Sequence, residues 1–422
     1  MRVLWLVNNI FPELFNALES TSLVKSPISG SWMYALSECL KKVPDIEIFI
    51  VSVYKGKRIK NVKIKNINYY LLPCSNKTKY HKHLEQDFSR LNTIIKPDVI
   101  HIHGTEFPHS LAFIKGCGVS NVIVSIQGLI SVIERYYYSE ITFKDIVKNL
   151  TPRNIVLFDG IIGQKHEYKR RGIYEKECIS RVKYLIGRTS WDYTHSKTIN
   201  NSVKYFHLNE LLRKEFYNVE RWNYEKCDKY SIFVSQASYP IKGLHNLIKA
   251  LSIVKKKYPN FKLFVAGPDF VSNSTLYQKL AYSGYGKYIK KLIKEIQLEN
   301  NIEFLGRLDA NQMISNYLKC NVYVLPSSIE NSPNSLSEAQ IVGTPTIATD
   351  VGGVRELTFN GSSAFLYRFE EYEILASLIV NVFNCSKGLT KILNETRILT
   401  MERHSEKRII SSLLDIYNTI AK

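Results

Sequence analysis

Residues 321–356 read NVYVLPSSIENSPNSLSEAQIVGTPTIATDVGGVRE. The apolar run 321–326 ends at Pro326 and reads as a strand. A polar loop follows, and a helix is predicted from near Ser335. Glu330 falls in the loop and Glu338 in the helix, eight residues apart. A helix start offers unpaired N–H groups and the positive end of a dipole, which suits an anion. There Glu330 can hydrogen-bond the hydroxyls of a sugar, and Glu338 can reach a ribose diol. A second strand, 344–350, runs into Val351-Gly352-Gly353, where paired glycines let a ligand approach the backbone closely. Alone, two glutamates at this spacing read equally as a cap and a solvated side chain.

Outward from this stretch, strands and helices alternate. Strands are predicted at 230–235, 262–267 and 302–306, with a helix over about 243–257 whose Leu244, Leu247, Ile248, Leu251 and Val254 form one stripe. An earlier series has strands at 2–7, 46–53, 97–103, 121–126 and 183–187, with a helix over 30–42. Such alternation implies parallel sheets covered on both faces. The polar stretch 218–229 lacks a period and reads as a linker. The predicted organisation is an N-terminal Rossmann-like domain over 1–217, a linker over 218–229, a second Rossmann-like domain over 230–404, and an amphipathic helix over 405–422. In open α/β sheets ligands bind beyond the C-terminal ends of the strands, so both halves are expected to send loops into a shared cleft.

The chain has 422 residues, 45% of them hydrophobic and 23% charged, which excludes a wholly disordered polymer. No apolar run approaches the roughly 20 residues that span a bilayer. The start, MRVLWLVNNIFPE, reads as a first strand rather than a signal peptide, so a cytoplasmic protein is expected. The seven cysteines are scattered and fit reduced thiols. No Asp-x-Asp, HExxH or P-loop pattern occurs, so no metal and no cofactor is expected. The net charge is +19. Residues 51–100 carry 11 basic and 3 acidic side chains, and 141–190 carry 11 and 5. This excess favours an anionic partner or forms a solvated face; no nucleic-acid motif supports nucleic acid.

Taken together, Glu330, Glu338, Gly352, Gly353 and Glu356 resemble the donor-site signature of family four of the retaining, nucleotide-sugar-dependent glycosyltransferases (group 1), which have the GT-B fold. The resemblance implies an α/β protein of two Rossmann-like domains facing across a central cleft, with the C-terminal helix crossing back to the N-terminal domain. It covers nearly the whole chain. Ser29-Gly30-Ser31 is similar to the family's glycine-rich loop, and Gly30 would approach the donor phosphates. KGLHNLIKAL (242–251) resembles the helix that opens with a phosphate-binding lysine, here Lys242. FVAGP (264–268), with Gly267, and IEFLGRLD (302–309), with Arg307, resemble strands lining the nucleotide pocket. Asn334 and Ser335 open the donor-site helix. The chain departs from the family where an arginine often shares the diphosphate. Ala237 stands there, with Gln236 beside it. A histidine near the reacting sugar is replaced by Gln127, which can hydrogen-bond but cannot act as a base. Ser332-Pro333 replaces a Phe-Gly pair.

The implied activity is metal-independent, retaining transfer from a nucleoside-diphosphate sugar. The implied acceptor is a polyprenyl-diphosphate-linked glycan at the cytoplasmic face of the inner membrane, in bacterial capsule or O-antigen assembly. Lys242 and Glu330 would serve catalysis, and His103, Gln127 and Arg188 the acceptor. Arg188 reads either as a ligand for an acceptor phosphate or as a carboxylate's partner. His101 and His103 are read as facing opposite sides of their strand, His103 toward the cleft. Lys165, Lys169, Arg170 and Arg171, with Tyr168 and Tyr174, read as a surface for anionic lipid headgroups or as a solvated helix. A nucleotide-sugar epimerase on the same fold and a non-catalytic assembly scaffold are the alternatives.

Overall fold

The computed structural model describes residues 1–18, 31–272 and 282–421. It divides into two compact units, one of Met1–Val132, Tyr168–Arg213 and Arg403–Lys422 and one of Ile133–Glu167 and Lys214–Glu402. Gly30 and Ser29 lie outside the described residues.

The first unit holds an eight-stranded sheet: β1 (Arg2–Val7), β2 (Glu47–Tyr54), β3 (Lys60–Ile64), β4 (Ile67–Pro73), β5 (Val99–His103), β6 (Val122–Ser125), β7 (Tyr184–Gly187) and β8 (Lys204–His207). Their order is β3-β4-β2-β1-β5-β6-β7-β8. All neighbours are parallel except the β3–β4 hairpin. Side chains alternate across a pleated strand, and β1 shows the result. Its Leu4 and Leu6 enter one core, and Val3, Trp5 and Val7 enter the other. The helix Glu406–Ile420 packs Ile409, Leu413, Ile416, Tyr417 and Ile420 into that second core. Its Tyr417 hydroxyl accepts the Trp5 indole N–H at 2.9 Å.

The second unit holds a six-stranded parallel sheet: β9 (Asp228–Val234), β10 (Lys262–Ala266), β11 (Ile302–Gly306), β12 (Cys320–Leu325), β13 (Thr346–Thr349) and β14 (Phe365–Tyr367). The order is β11-β10-β9-β12-β13-β14. Each sheet reverses its strand order once, between β1 and β5 and between β9 and β12. Ligands of such sheets bind where the order reverses, beyond the C-terminal strand ends. Those ends are Asn8 and Gly104 in the first unit, and Ser235 and Pro326 in the second.

Three sequence expectations change. The stretch 218–229 is not a free linker: Trp222 is buried, its backbone N–H donates to Val342 O at 2.9 Å and its indole to Cys320 O at 2.7 Å. Asp228 and Lys229 already belong to β9. Residues 133–167, expected with the N-terminal domain, pack in the second unit. There His245 Nε2 bonds Ser139 O at 2.6 Å, and the Gly284 N–H donates to Asn154 Oδ1 at 2.8 Å. Such long-range pairings leave no periodic signal in the segment itself. Third, His101 and His103 share a face, because residues two apart on a strand point the same way. Their rings stack at 3.8 Å.

Candidate functional site

In the second unit the loop after β12 meets the loop after β9. Lys242 closes a short 3-10 turn (Pro240–Lys242), and Gly243 follows at φ +70. A Cβ on Gly243 would overlap the Pro326 carbonyl, so only glycine lets the two loops lie this close. The loops are tied by Ser328 N–H to Ile241 O at 2.8 Å. This brings the Lys242 ammonium to 2.5 Å from Glu330 Oε1, with both side chains largely buried. Ser327 donates its hydroxyl to the same carboxylate oxygen at 2.7 Å. Burial opposes the charge on Lys242, but Glu330 and Tyr239 outweigh it and hold the ammonium pKa well above its ordinary value. Lys242 is therefore a fixed cation and not a base.

Behind Glu330, Gly352 adopts φ +53 against the Glu330 carbonyl, and the Gly353 N–H donates to that oxygen at 3.1 Å. The helix Asn334–Val342 begins at Pro333, which makes no side-chain cap, and its Leu336 N–H donates to Pro333 O at 3.1 Å. Its first turn is pinned by Tyr323, whose hydroxyl donates to Ser335 Oγ at 2.9 Å and pairs with Ser235 Oγ at 2.9 Å. Burial pushes the Tyr323 phenol up to about 12. Glu338 is buried one turn further on. Gln236, Gly267 and Arg307 stand at the ends of β9, β10 and β11, three neighbours in the sheet. Gly267 donates its N–H to Gly306 O at 2.8 Å, while Gln236 and Arg307 are exposed. Ala237 is buried and supplies no second cation.

The sequence did not single out Ser139, Ser327 or Tyr323. Ser139 and Glu140 both take left-handed backbone, at φ +48 and +62, and Ser139 Oγ meets Ser328 Oγ at 2.9 Å. No local pattern marks that contact, because its partner is 189 residues away. Ser327 and Ser328 stood beside Glu330 in the quoted stretch, and their hydroxyls were the available signal.

In the first unit a cavity of about 340 Å³ opens where β1 and β5 end. His103, Glu106, Asn8, Gln127, Trp32 and Lys77 are among its walls. His103 is buried between Trp5 and Trp32, at ring distances of 4.5 and 5.6 Å. Neither of its ring nitrogens has a hydrogen-bond partner among the described residues. Burial, with neighbouring His101 and Arg188, holds its pKa well below the ordinary value, so the ring is neutral and offers one donor and one acceptor. His101 is a packed histidine, held by Tyr417 OH at 2.7 Å and Ser125 Oγ at 2.6 Å. Glu106 accepts from Asn8 Nδ2 at 3.1 Å, and burial raises its pKa.

Arg188 resolves to the second of its two readings. The residue is 5% exposed, and its guanidinium pairs with Glu210 and donates to the carbonyls of Ile126 and Gln127. It braces the backbone that carries Gln127 and presents no free charge to a phosphate. The expected basic patch is likewise not one exposed surface. Arg171 is buried over the Phe107 and Tyr168 rings, Lys165 sits over Tyr138 beside Glu134, and only Lys169 of the four is exposed. Among the described residues no three His, Cys, Asp or Glu side chains are grouped to hold a metal ion, and no helix is long and apolar enough to cross a membrane.

Residues 218–397 match the family "Glycosyl transferases group 1". The matched residues lie within the second unit and include Lys242, Glu330 and Glu338. A capsular polysaccharide biosynthesis glycosyltransferase, CapM of Staphylococcus aureus, is 28% identical over 181 residues, 43% of this chain and 44% of that one. The chain spans about half the length of the curated relatives it matches first. Among solved structures, the sucrose-phosphate synthase of Thermosynechococcus elongatus aligns with a TM-score of 0.72 at 12% identity, over 100% of this chain and 99% of that one. HepE of Anabaena in complex with UDP-glucose aligns with a TM-score of 0.65 at 13% identity, over 100% and 99%. The fold is the α/β GT-B fold, with two sheets that are parallel but for the β3–β4 hairpin.

Proposed function

We propose that this chain is a metal-independent, retaining glycosyltransferase that moves a sugar from a nucleoside-diphosphate sugar to a polyprenyl-diphosphate-linked glycan, in the cytoplasmic assembly of a bacterial surface polysaccharide. The observation that carries the reading is the Lys242–Glu330 pair at the strand-order reversal of the second sheet, beside an uncapped helix N-terminus and a glycine turn. The UDP-glucose bound to HepE and the capsular role named for CapM support the donor class and the process.

In this reading the donor diphosphate draws Lys242 away from Glu330. The ammonium, the first N–H groups of the helix Asn334–Val342 and the Gln236 amide then meet the charge that grows on the leaving diphosphate. Glu330, released from the lysine but still held by Ser327, orients the donor sugar. Glu338 takes the ribose, with Gly267 and Arg307 beside the nucleotide. The glycosidic bond breaks as the acceptor hydroxyl attacks the same face, and the diphosphate oxygen takes the acceptor proton. His103 and Gln127 hold acceptor hydroxyls, and Arg188 fixes the backbone behind Gln127.

Two expectations follow from these roles. Glu330→Ala lowers kcat about tenfold with little change in KM, because its contact to the reacting sugar strengthens in the transition state. Glu338→Ala raises KM for the donor at nearly constant kcat, since a ribose contact is the same before and during reaction. Steady-state kinetics showing the opposite split would reverse the assignments. Activity also survives EDTA, because Lys242 and backbone N–H groups supply the counter-charge; complete loss restored by magnesium or manganese would remove the metal-independent mechanism. The experiment that tests the reading as a whole is a thermal-shift screen of nucleotide sugars, followed by transfer assays with the stabilising donor. Conversion of a donor without any acceptor would instead favour an epimerase.

A further inference from the structure

Within the second unit, residues 143–158 expose apolar side chains in a way the site does not use. Ile155, Val156, Leu157 and Phe158 are 59–80% exposed in succession, and Phe143 and Val147 on the preceding helix are exposed as well. Single exposed apolar residues need no explanation, but a run of four does. The run is also rigidly held. The helix Pro152–Leu157 starts with a reciprocal cap between Thr151 and Asn154. Asn154 accepts the Gly284 N–H at 2.8 Å and donates to Asp159 at 2.9 Å, and Arg153 pairs with Asp159 at 2.7 Å. Phe158 ends the helix at φ +50, packed so closely that a Cβ on Gly163 would overlap its carbonyl. A bulky residue in left-handed backbone, anchored on both sides yet turned to solvent, is a built presentation and not a frayed end.

The surroundings are basic. Lys144 and Lys148 are exposed on the helix Phe143–Lys148, and Lys287, Lys290 and Lys291 on the helix Gly284–Glu295, which packs against it. Lys287 Nζ donates to the carbonyls of Lys148 and Leu150 at 3.4 and 3.3 Å, joining the two helices on this face. Asp145, Asp159 and Glu295 are the nearby acids; Asp159 is paired with Arg153 at 2.7 Å and Glu295 with Lys291 at 3.5 Å. An apolar tip flanked by two lysine-bearing helices matches one surface well: an anionic lipid bilayer, with the tip at the acyl boundary and the ammonium groups at the headgroups.

We propose that Ile155–Phe158, with the lysines of the two adjoining helices, docks the protein on an anionic membrane. This goes beyond sugar transfer and is tested without donor or acceptor. The full chain is sedimented with vesicles of phosphatidylcholine alone or mixed with phosphatidylglycerol. Wild type binds the mixed vesicles, more weakly as salt rises. Val156→Glu/Leu157→Glu lowers that binding at least tenfold, and Val156→Ser/Leu157→Ser lowers it severalfold, both with an unchanged melting curve. Lys144→Ser/Lys148→Ser lowers binding to the mixed vesicles and removes part of the salt dependence. Leu157→Trp gives a blue-shifted emission on mixed vesicles. Equal binding by wild type and both 156/157 variants overturns the proposal. It is equally overturned if wild type ignores vesicles and sedimentation velocity shows a dimer that Val156→Glu/Leu157→Glu dissociates; a second copy is then the occupant.

Discussion

With Lys242 in the proposed phosphate role, Lys242→Ala lowers sugar transfer by on the order of 10²-fold and destabilises the fold in the same stroke. The first effect follows from removing a charge-assisted contact that grows with the charge on the leaving diphosphate. The second follows from the unliganded geometry. Without the ammonium, the Glu330 carboxylate keeps the Ser327 hydroxyl as its partner among the described residues while its side chain remains 13% exposed. A largely buried carboxylate that loses its ionic partner costs about 1–3 kcal/mol. The two effects separate in Lys242→Met/Glu330→Gln, which removes both charges. That variant recovers most of the melting temperature and none of the activity. The pH dependence has a definite sign. The folded-state pKa of Lys242 is raised above its ordinary 10.5, so the lysine's contribution is complete below pH 10.5 and fades as pH climbs through the higher folded value. The charge on Lys242 is therefore constant across neutral pH. Activity within twofold of wild type in Lys242→Ala would end the phosphate role, whatever the melting curve shows.

The readable parts of this protein are those whose meaning is local. Buried parallel strands are continuous apolar runs, so β1, β9 and β12 stand out, and the Glu330–Glu338–Gly352 spacing lies within one strand–loop–helix–strand unit. The edge strand β3 does not stand out, because Lys60 and Lys63 keep it polar and exposed. What joins distant residues is also hidden. Ser139 meets Ser328 and His245 only because 133–167 folds onto the second unit, and nothing in that segment's composition points to it. Charge misleads in a different way. Arg171 and Arg188 look like free cations in the sequence, yet one lies over aromatic rings and the other pairs with Glu210. The exposed run Ile155–Phe158 would pass for core by hydropathy, and only the fold turns it outward.

The glycine turn behind Glu330 allows the sharpest test of how the loop is held. Gly352→Ala lowers turnover by on the order of 10²-fold or more and lowers stability by more than the ~1 kcal/mol of left-handed strain. The backbone at Gly352 sits at φ +53, and an added Cβ would overlap the Glu330 carbonyl oxygen. Backbone cannot yield as a flexible side-chain tip can, so the Glu330 loop must shift. That shift also strains the Gly353 N–H bond to the same oxygen, 3.1 Å long, and the Ser327 contact that aims the carboxylate. In the proposed reaction Glu330 orients the donor sugar, and a displacement near 1 Å at such a group is enough for this loss. Gly343 provides the control. It caps the helix Asn334–Val342 at φ +82, but open space surrounds its Cβ position. Gly343→Ala therefore pays the backbone strain alone and keeps near-normal turnover. Melting curves and kcat for the two variants decide the matter. If Gly352→Ala is no worse than Gly343→Ala, close packing against Glu330 O does not position the carboxylate, and the work falls to Lys242 and Ser327 alone.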